Sequence, residues 1–133
     1  MLDSTQLLLV MCEERRTQLL EILKSSNAHV LTVSSCREAR RVLQTHLTLE
    51  VVIADLSHPD GNWCDILKCL VDSGIPARFV VSATHADERL WSEVLWRGGY
   101  DLLTEPYEAT EVIRIIEGAA RASIHRKLAV QAG

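Results

Sequence analysis

The sequence has no long apolar run, no secretory signal and no excess of basic residues. None of its hydrophobic stretches approaches the roughly 18 residues of a membrane-spanning helix, so we expect no membrane segment. The opening stretch MLDSTQ lacks the basic region and apolar stretch of a secretory signal. The 133 residues carry a net charge of −4, which argues against nucleic-acid binding by this domain.

Paired cysteines and a glycine-rich loop are also missing. The four cysteines are Cys12, Cys36, Cys64 and Cys69, and they include no CxxC pair. Without a secretory signal, this pattern favours reduced thiols in a cytoplasmic protein. No glycine-rich stretch follows the first apolar run, which disfavours an enzyme that cradles a phosphate group there.

Short apolar runs alternate with helical patterns along the chain. The predicted strands cover residues 6–11, 29–33, 49–55, 77–83 and 100–103, and each is followed by a predicted helix. Strands that are apolar throughout are covered on both faces, as the strands of parallel sheets are. With right-handed crossovers, the pattern predicts one doubly wound α/β domain over residues 1–126. We expect residues 127–133 to form a tail that is flexible or leads to a further domain.

The carboxyl ends of the strands are where ligands bind in doubly wound sheets, at the point where the strand order reverses. The segments that follow the relevant strands are 12–14, 55–59, 82–85 and 104–106. We therefore expect the functional residues to come from these four segments.

Motifs at these strand ends are shared with a known family. Asp55 closes the third predicted strand, with Pro59 four residues on and Gly61 beyond it. The stretches VMCEERRTQLL, VVSA and RGGYDLLTEPY flank the other predicted strand ends. From Gln6 to about Arg121, the chain resembles the receiver domain of two-component response regulators. The resemblance implies a flavodoxin-like (βα)5 fold with its five parallel strands in the order 2-1-3-4-5.

The resemblance also implies a role for three residues. Asp55 would be the phosphoacceptor, vestigial or active, and Ser82 the hydroxyl that follows the phosphoryl group. Pro106 would follow a cis peptide bond. The family's reaction needs a divalent metal to neutralise the phosphoryl oxygens, and a metal such as Mg²⁺ requires hard oxygen ligands.

Four positions depart from the family's pattern. Met11 and Cys12 stand where the family has its metal-binding acidic pair. Glu105 stands in place of the conserved lysine, and Leu102 in place of the switch aromatic. Three functional features, namely the acidic pair, the lysine and the switch aromatic, are therefore chemically wrong for the usual reaction.

The substitutions differ in their expected effect. Glu105 facing Asp55 would repel an added phosphoryl group, which carries up to about two negative charges, whereas a solvent-facing Glu105 would have no effect. We expect Met11 to fill the core and Cys12 to act as a small buried hydrophobe. Glu13 either supports a weak metal site beside Asp55 or, as we favour, serves as a carboxylate at a helix start.

A zinc site is a more specific alternative. The residues Cys12, Asp55, His58 and His85 lie at or just after the ends of predicted strands and are of types that bind zinc. They share no zinc-motif spacing, which disfavours this interpretation.

The fourth predicted helix carries a candidate contact residue. Its apolar arc consists of Leu90, Trp91, Val94 and Leu95. Trp96 falls outside that arc, and a helical wheel places Ile115 of the last helix outside the core-facing arc as well. In receiver domains the fourth helix, fifth strand and fifth helix form the usual face for dimers and output. We therefore predict that Trp96 and Ile115 are interface residues.

Together these observations predict a degenerate receiver domain, or pseudo-receiver, that acts by protein–protein contact and is not an enzyme. Its partner would be a histidine kinase, an output domain or a second copy of the chain. No cofactor is expected. The alternative is a working receiver that is phosphorylated on Asp55 and uses Mg²⁺ at a weakened metal site.

Overall fold

The computed structural model describes residues 2 and 4–132, with side chains as far as residue 128. In chain order the elements are β1 (Gln6–Val10), α1 (Glu13–Leu23), β2 (His29–Val33), α2 (Cys36–Thr45), β3 (Val51–Asp55), β4 (Ser57–His58), β5 (Gly61–Asn62), α3 (Trp63–Ser73), β6 (Arg78–Ala83), α4 (Glu88–Trp96), β7 (Asp101–Thr104) and α5 (Ala109–Ala132). The short strands β4 and β5 form a separate antiparallel hairpin between β3 and α3.

The five longer strands form one parallel sheet in the order β2-β1-β3-β6-β7. This confirms the predicted flavodoxin-like α/β class and the predicted strand order. The order reverses at β1, which has β2 on one side and β3 on the other. The carboxyl ends of β1 and β3 therefore border the crevice in which such sheets bind ligands.

The sheet is covered on both faces, which explains its unbroken apolar strands. All five residues of β3 are buried, and so are the last four of β1. On one face, Leu43 of α2, Ile66 of α3 and Val94 of α4 pack over the sheet. On the other face, Leu19 of α1 and Ile116 of α5 pack over it. Both core layers thus hold the strand ends in fixed positions.

Local signals in the sequence mark several helix ends. Ser35 caps α2 as predicted, because its side chain accepts a hydrogen bond from the Glu38 N–H. Asn62 and Asp65 form a capping box that starts α3. Gly74 ends α3 with a φ of 74°, a conformation that favours glycine.

The prediction that Ile115 is an interface residue is wrong. Ile115 is only 3% exposed and belongs to the core layer between α5 and the sheet. Val112, Ile115, Ile116 and Ala119 are all buried at i, i+3, i+4 and i+7 spacing, which is the stripe a helix presents to a sheet.

The outer parts of α4 and α5 also differ from expectation. Val94 is the fully buried residue of the predicted α4 arc, whereas Trp91 is 48% exposed and Leu95 38% exposed. The helix α4 rests on β7 at the edge of the sheet, so it buries a narrower stripe than predicted. The last helix runs to Ala132, past its predicted end near Arg126. The role of residues 127–133 as a tail stays a prediction.

A search of the described residues for a helix both long and apolar enough to cross a membrane gives none.

Candidate functional site

Asp55 is the centre of the site at the carboxyl ends of β1, β3 and β6. It is the last residue of β3 and lies opposite Ser82 of β6 in the sheet register. Only 5% of Asp55 is exposed, because the sheet and the following loops surround it. The fold thus places a carboxyl group, almost completely buried, at the sheet edge where functional residues were predicted.

The two oxygens of Asp55 have different surroundings. Oδ2 accepts hydrogen bonds from the Cys12 N–H at 3.0 Å and from Arg15 Nη1 at 3.3 Å. Oδ1 is buried and has no hydrogen-bond partner in the described part of the chain. Burial raises the pKa of Asp55 above its ordinary value, although the Cys12 N–H and the Arg15 charge act in the opposite direction.

Arg15, in the first turn of α1, is the residue that organises the site. Its Nε donates to Glu105 Oε1 at 2.5 Å, and its Nη1 lies 2.9 Å from Cys12 Sγ as well as near Asp55. Its Nη2 donates to Thr84 Oγ1 at 3.2 Å. Burial lowers the pKa of Arg15, but the hydrogen bond to Glu105 and the charge of Asp55 outweigh it, so the net pKa is raised and the guanidinium stays charged.

Glu105 lies in the β7–α5 connection, with 20% of its side chain exposed. Its partner is the Arg15 guanidinium, and Thr84 Oγ1 also donates to its Oε1 at 3.4 Å. The peptide bond between Glu105 and Pro106 is cis. We expected Glu105 to face Asp55 directly or to face solvent. Instead, the Arg15 guanidinium contacts both carboxylates.

Ser82 forms a hydrogen bond with Tyr107. Ser82 is 1% exposed, and its hydroxyl oxygen pairs with the Tyr107 hydroxyl. Burial raises the pKa of Tyr107 to about 12, so the phenol is neutral at physiological pH. Leu102, at the position of the switch aromatic, is 7% exposed and packs in the core on the α2–α3–α4 face.

The residues at the end of β1 divide between core and surface. Met11 is fully buried in the α1–α5 core layer, as expected for a core residue. The expectation that Cys12 is buried is wrong: its thiol is exposed because Cys12 occupies the N-cap of α1 and leaves the sheet. Glu13 is exposed in the first turn of α1, where the helix dipole favours a carboxylate.

The residues around Asp55 do not fit a magnesium ion. Such an ion needs several hard oxygen ligands at short distance. At the acidic-pair positions the chain offers a buried thioether and a thiol, and a guanidinium lies against the Asp55 oxygen that faces them. The zinc alternative has no geometric support either: among the described residues no group of three or more His, Cys, Asp or Glu side chains could hold a metal. The His58 ring instead bonds the Asp55 carbonyl at 2.9 Å.

A cleft of about 290 Å³ opens beside these groups. Its lining includes Arg15, Asp55, Ser82, Thr84 and His85. All five residues come from α1 or from the carboxyl ends of β3 and β6, as the fold class predicts.

Sequence reasoning missed Arg15 and Tyr107. The pair of arginines in VMCEERRTQLL reads as the polar face of α1, yet Arg15 lies one turn after Cys12 and so reaches back over the strand ends. Tyr107 follows the proline of TEPY directly. Its signal was an aromatic residue close to the strand end, two positions beyond Glu105.

Comparisons with known proteins agree with this architecture. No family model matches the chain. The transcriptional regulatory protein FixJ of Rhizobium meliloti (strain 1021) is 27% identical over 108 residues, which cover 81% of this chain and 53% of that protein. The chain therefore spans about half the length of this curated relative.

Solved structures of receiver domains superimpose closely on the chain. The signal receiver domain of a putative Luxo repressor protein from Vibrio parahaemolyticus has a TM-score of 0.84 at 20% identity, covering 95% of this chain and 97% of that one. A receiver domain protein from Clostridium thermocellum reaches 0.78 at 21% identity, covering 94% and 98%. The beryllofluoride-activated NtrC4 receiver domain dimer reaches 0.79 at 21% identity, covering 89% and 98%. The chain thus has the fold of receiver domains.

Proposed function

We propose that the chain is a response-regulator receiver domain in two-component signalling, of the degenerate kind that acts by protein–protein contact. The fold match over nearly the whole chain supports the receiver assignment. The match to part of a transcriptional regulatory protein supports a signalling role. In this proposal the domain is cytoplasmic, catalyses no reaction of its own and binds neither nucleic acid nor membrane.

The environment of Asp55 is the observation that carries the degenerate assignment. Phosphoryl transfer to Asp55 would add up to about two negative charges beside Arg15, whose guanidinium already pairs with Glu105. The positive charge available there is Arg15, which is engaged by both carboxylates. Met11 and Cys12 supply no hard oxygen ligand for a metal that would neutralise the added charge.

The proposed partner is a histidine kinase, an output domain or a second copy of the chain. The contact surface we propose is formed by α4, β7 and α5, where Trp96 is 89% exposed at the end of α4. An exposed tryptophan is costly in water and typical of contact surfaces. The beryllofluoride-activated NtrC4 receiver domain is a dimer. By analogy we propose self-association for this chain.

Incubation with Mg²⁺ and beryllofluoride, and separately with a small phosphodonor, tests the loss of phosphorylation. We expect no gain of phosphoryl mass in the intact protein and no saturable change in tryptophan fluorescence. Asp55→Asn is the control, because it removes the acceptor carboxylate. A phosphoryl adduct on the unsubstituted chain that Asp55→Asn abolishes would overturn the degenerate assignment.

One observation favours the alternative, a working phosphoacceptor with a weakened metal site. Asp55 Oδ1 is buried without a hydrogen-bond partner among the described residues, and Asp55 lines the cleft. Under this alternative, Oδ1 would break no hydrogen bond on acting as the nucleophile. Under this alternative, the adduct on Asp55 would form in the phosphodonor experiment and depend on Mg²⁺.

A further inference from the structure

Two arginines lie close together at the amino end of the sheet. Arg78 is the first residue of β6, and Arg126 lies near the end of α5. Burial lowers the pKa of Arg78, and the nearby charge of Arg126 lowers it further. Neither guanidinium forms an ion pair with an Asp or Glu of the described residues. The two positive charges are therefore uncompensated, although the whole chain carries a net charge of −4.

The periodicity of α5 explains why Arg126 lies near Arg78. Val112 and Ala119 belong to the stripe that packs on the sheet, and Arg126 follows Ala119 at i+7, on the same side of the helix. Among the side chains that the structure describes, Ser123 is the last buried residue of that stripe, and Arg126 is exposed. The helix thus passes the amino end of the sheet and places a guanidinium beside the start of β6.

Arg78 is held in place, but its charge stays unpaired. Its Cζ lies 5.6 Å from the centroid of the Tyr100 ring, within the range of a cation–π contact. The ring lies against α5 because residue 118 is glycine: a Cβ there would come within 2.6 Å of the Tyr100 hydroxyl oxygen. The Glu50 carbonyl accepts the Arg78 backbone N–H, but the Glu50 carboxylate accepts the Gln6 N–H instead. A half-buried cation without an anion is costly, since burial removes part of its hydration.

We propose that Arg78 and Arg126 form a binding site for a phosphate group, either inorganic phosphate or the phosphate of a small molecule. A guanidinium presents a planar fork of N–H donors that matches two phosphate oxygens. A phosphate group carries up to about two negative charges at pH 7, so it balances both arginines, whereas a single carboxylate would leave one of them unbalanced. The aromatic ring of Tyr100 already orients one of the two forks.

The site is independent of the proposed function. Arg78 lies opposite Val51 at the start of β3, whereas Asp55 ends that strand. An anion bound by Arg78 and Arg126 therefore lies at the other end of the sheet from the proposed phosphoacceptor position. Absence of anion binding would leave the receiver assignment intact, and a phosphoryl adduct on Asp55 would leave the anion site intact.

Thermal unfolding with and without about 10 mM anion tests the site, since an anion that binds only the folded state raises the unfolding midpoint Tm. The anions are inorganic phosphate, glycerol phosphate and succinate, at matched ionic strength and with EDTA present. Calorimetric titration gives each affinity. The variants are Arg78→Gln, Arg126→Gln and the double variant. Arg121→Gln is the matched control, because Arg121 is an exposed arginine of the same helix outside the sheet-facing stripe.

We expect phosphate or glycerol phosphate to raise the Tm of the unsubstituted chain and of Arg121→Gln by about 3–5 °C, and succinate to have a smaller effect. The anion with the higher affinity identifies the source of the phosphate group. Each single variant should bind at least about tenfold more weakly, and the double variant should not respond. Without anion, Arg126→Gln should keep or raise Tm, because it removes a charge that repels Arg78.

Other outcomes overturn the proposal. It is wrong if neither phosphate compound changes the Tm of the unsubstituted chain, or if the double variant responds as strongly as that chain, since the anion then binds elsewhere. An equal response to succinate contradicts the assignment of a phosphate group. A purely structural role for the arginines would lower Tm equally with and without anion. If Arg78→Gln does not fold, the exposed Arg126 decides the matter through Arg126→Gln alone.

Discussion

Asp55 and Asp60 are two carboxyl groups in opposite environments a few positions apart. Burial raises the pKa of Asp55. Asp60 is exposed, and the N–H groups of Cys36 and Arg37 at the start of α2 lower its pKa. A raised pKa in the folded state stabilises the fold at pH values below the ordinary Asp pKa of about 3.9, and this contribution is lost as pH rises through the raised value. A lowered pKa stabilises the fold above about 3.9 and is lost as pH falls.

Substitution of the two residues should therefore have opposite effects at neutral pH. Asp55→Asn should raise the free energy of unfolding at pH 7, and the gain should shrink as pH falls towards about 4. Asp60→Asn should lower it at pH 7, because the ionised carboxylate holds two helix N–H groups. Urea unfolding at both pH values measures the difference. Destabilisation by Asp55→Asn at pH 7 would mean that the Arg15 ion pair outweighs burial.

At the scale of secondary-structure elements, one hydrogen bond links the β7–α5 connection to β6. One hydroxyl belongs to Tyr107 in the connection, and the other belongs to Ser82 in β6, the strand that neighbours β3. Both side chains border the Asp55 site, and the Ser82 hydroxyl is shielded from water. The position of the connection that carries Glu105 therefore depends on a hydrogen bond between the buried Ser82 and the half-buried Tyr107.

Removal of either partner should cost more free energy of folding when the other partner is present than when it is absent. Tyr107→Phe should lower the free energy of unfolding by about 1–2 kcal/mol, because it leaves the buried Ser82 hydroxyl without its partner. Ser82→Ala should lower the free energy of unfolding less in the Tyr107→Phe background than in the unsubstituted chain. Urea unfolding of the four proteins gives the coupling, and additive effects would contradict it. In alkaline titration, the tyrosine absorbance step near pH 12 should disappear in Tyr107→Phe.

The elements were predictable to the extent that their signals are local. Apolar runs for strands, Ser35 for the start of α2 and Gly74 for the end of α3 all act within a few residues. The burial of Ile115 was missed because a helical wheel alone does not show which arc of α5 faces the sheet. Arg15 was missed because its acceptors come from three other segments, and no local sequence pattern indicates that its side chain reaches them.

At the scale of the whole molecule, Trp96 lies outside both core layers. The two faces of the sheet are already covered by the five helices of the described residues, and none of this packing requires the Trp96 ring, which is 89% exposed. The molecule therefore has a large aromatic group free for an intermolecular contact. The fold class was predictable from the alternation of strands and helices, whereas the identity of a partner has no signature within one chain.

Trp96→Ala should weaken an intermolecular contact without changing the stability of the fold. We expect the free energy of unfolding to change by no more than about 0.5 kcal/mol, as for surface substitutions in general. If the chain self-associates, light scattering over a dilution series should show a weaker dimer for Trp96→Ala. Leu47→Ala is the control, since Leu47 is 67% exposed but follows α2, outside the proposed face. A monomer at high concentration would exclude self-association and leave the other partners.

The contact between Arg15 and Glu105 joins positions that are 90 residues apart. Closing so long a loop costs chain entropy, so contacts of this kind tend to form only after shorter-range structure is in place. The α1–β7 edge of the site is therefore expected to assemble late in folding, after the central strands have paired. In a chevron experiment, Arg15→Gln should speed unfolding while leaving the refolding rate nearly unchanged. The same guanidinium that fills the pocket would thus set how long the folded state lasts rather than how quickly it is reached.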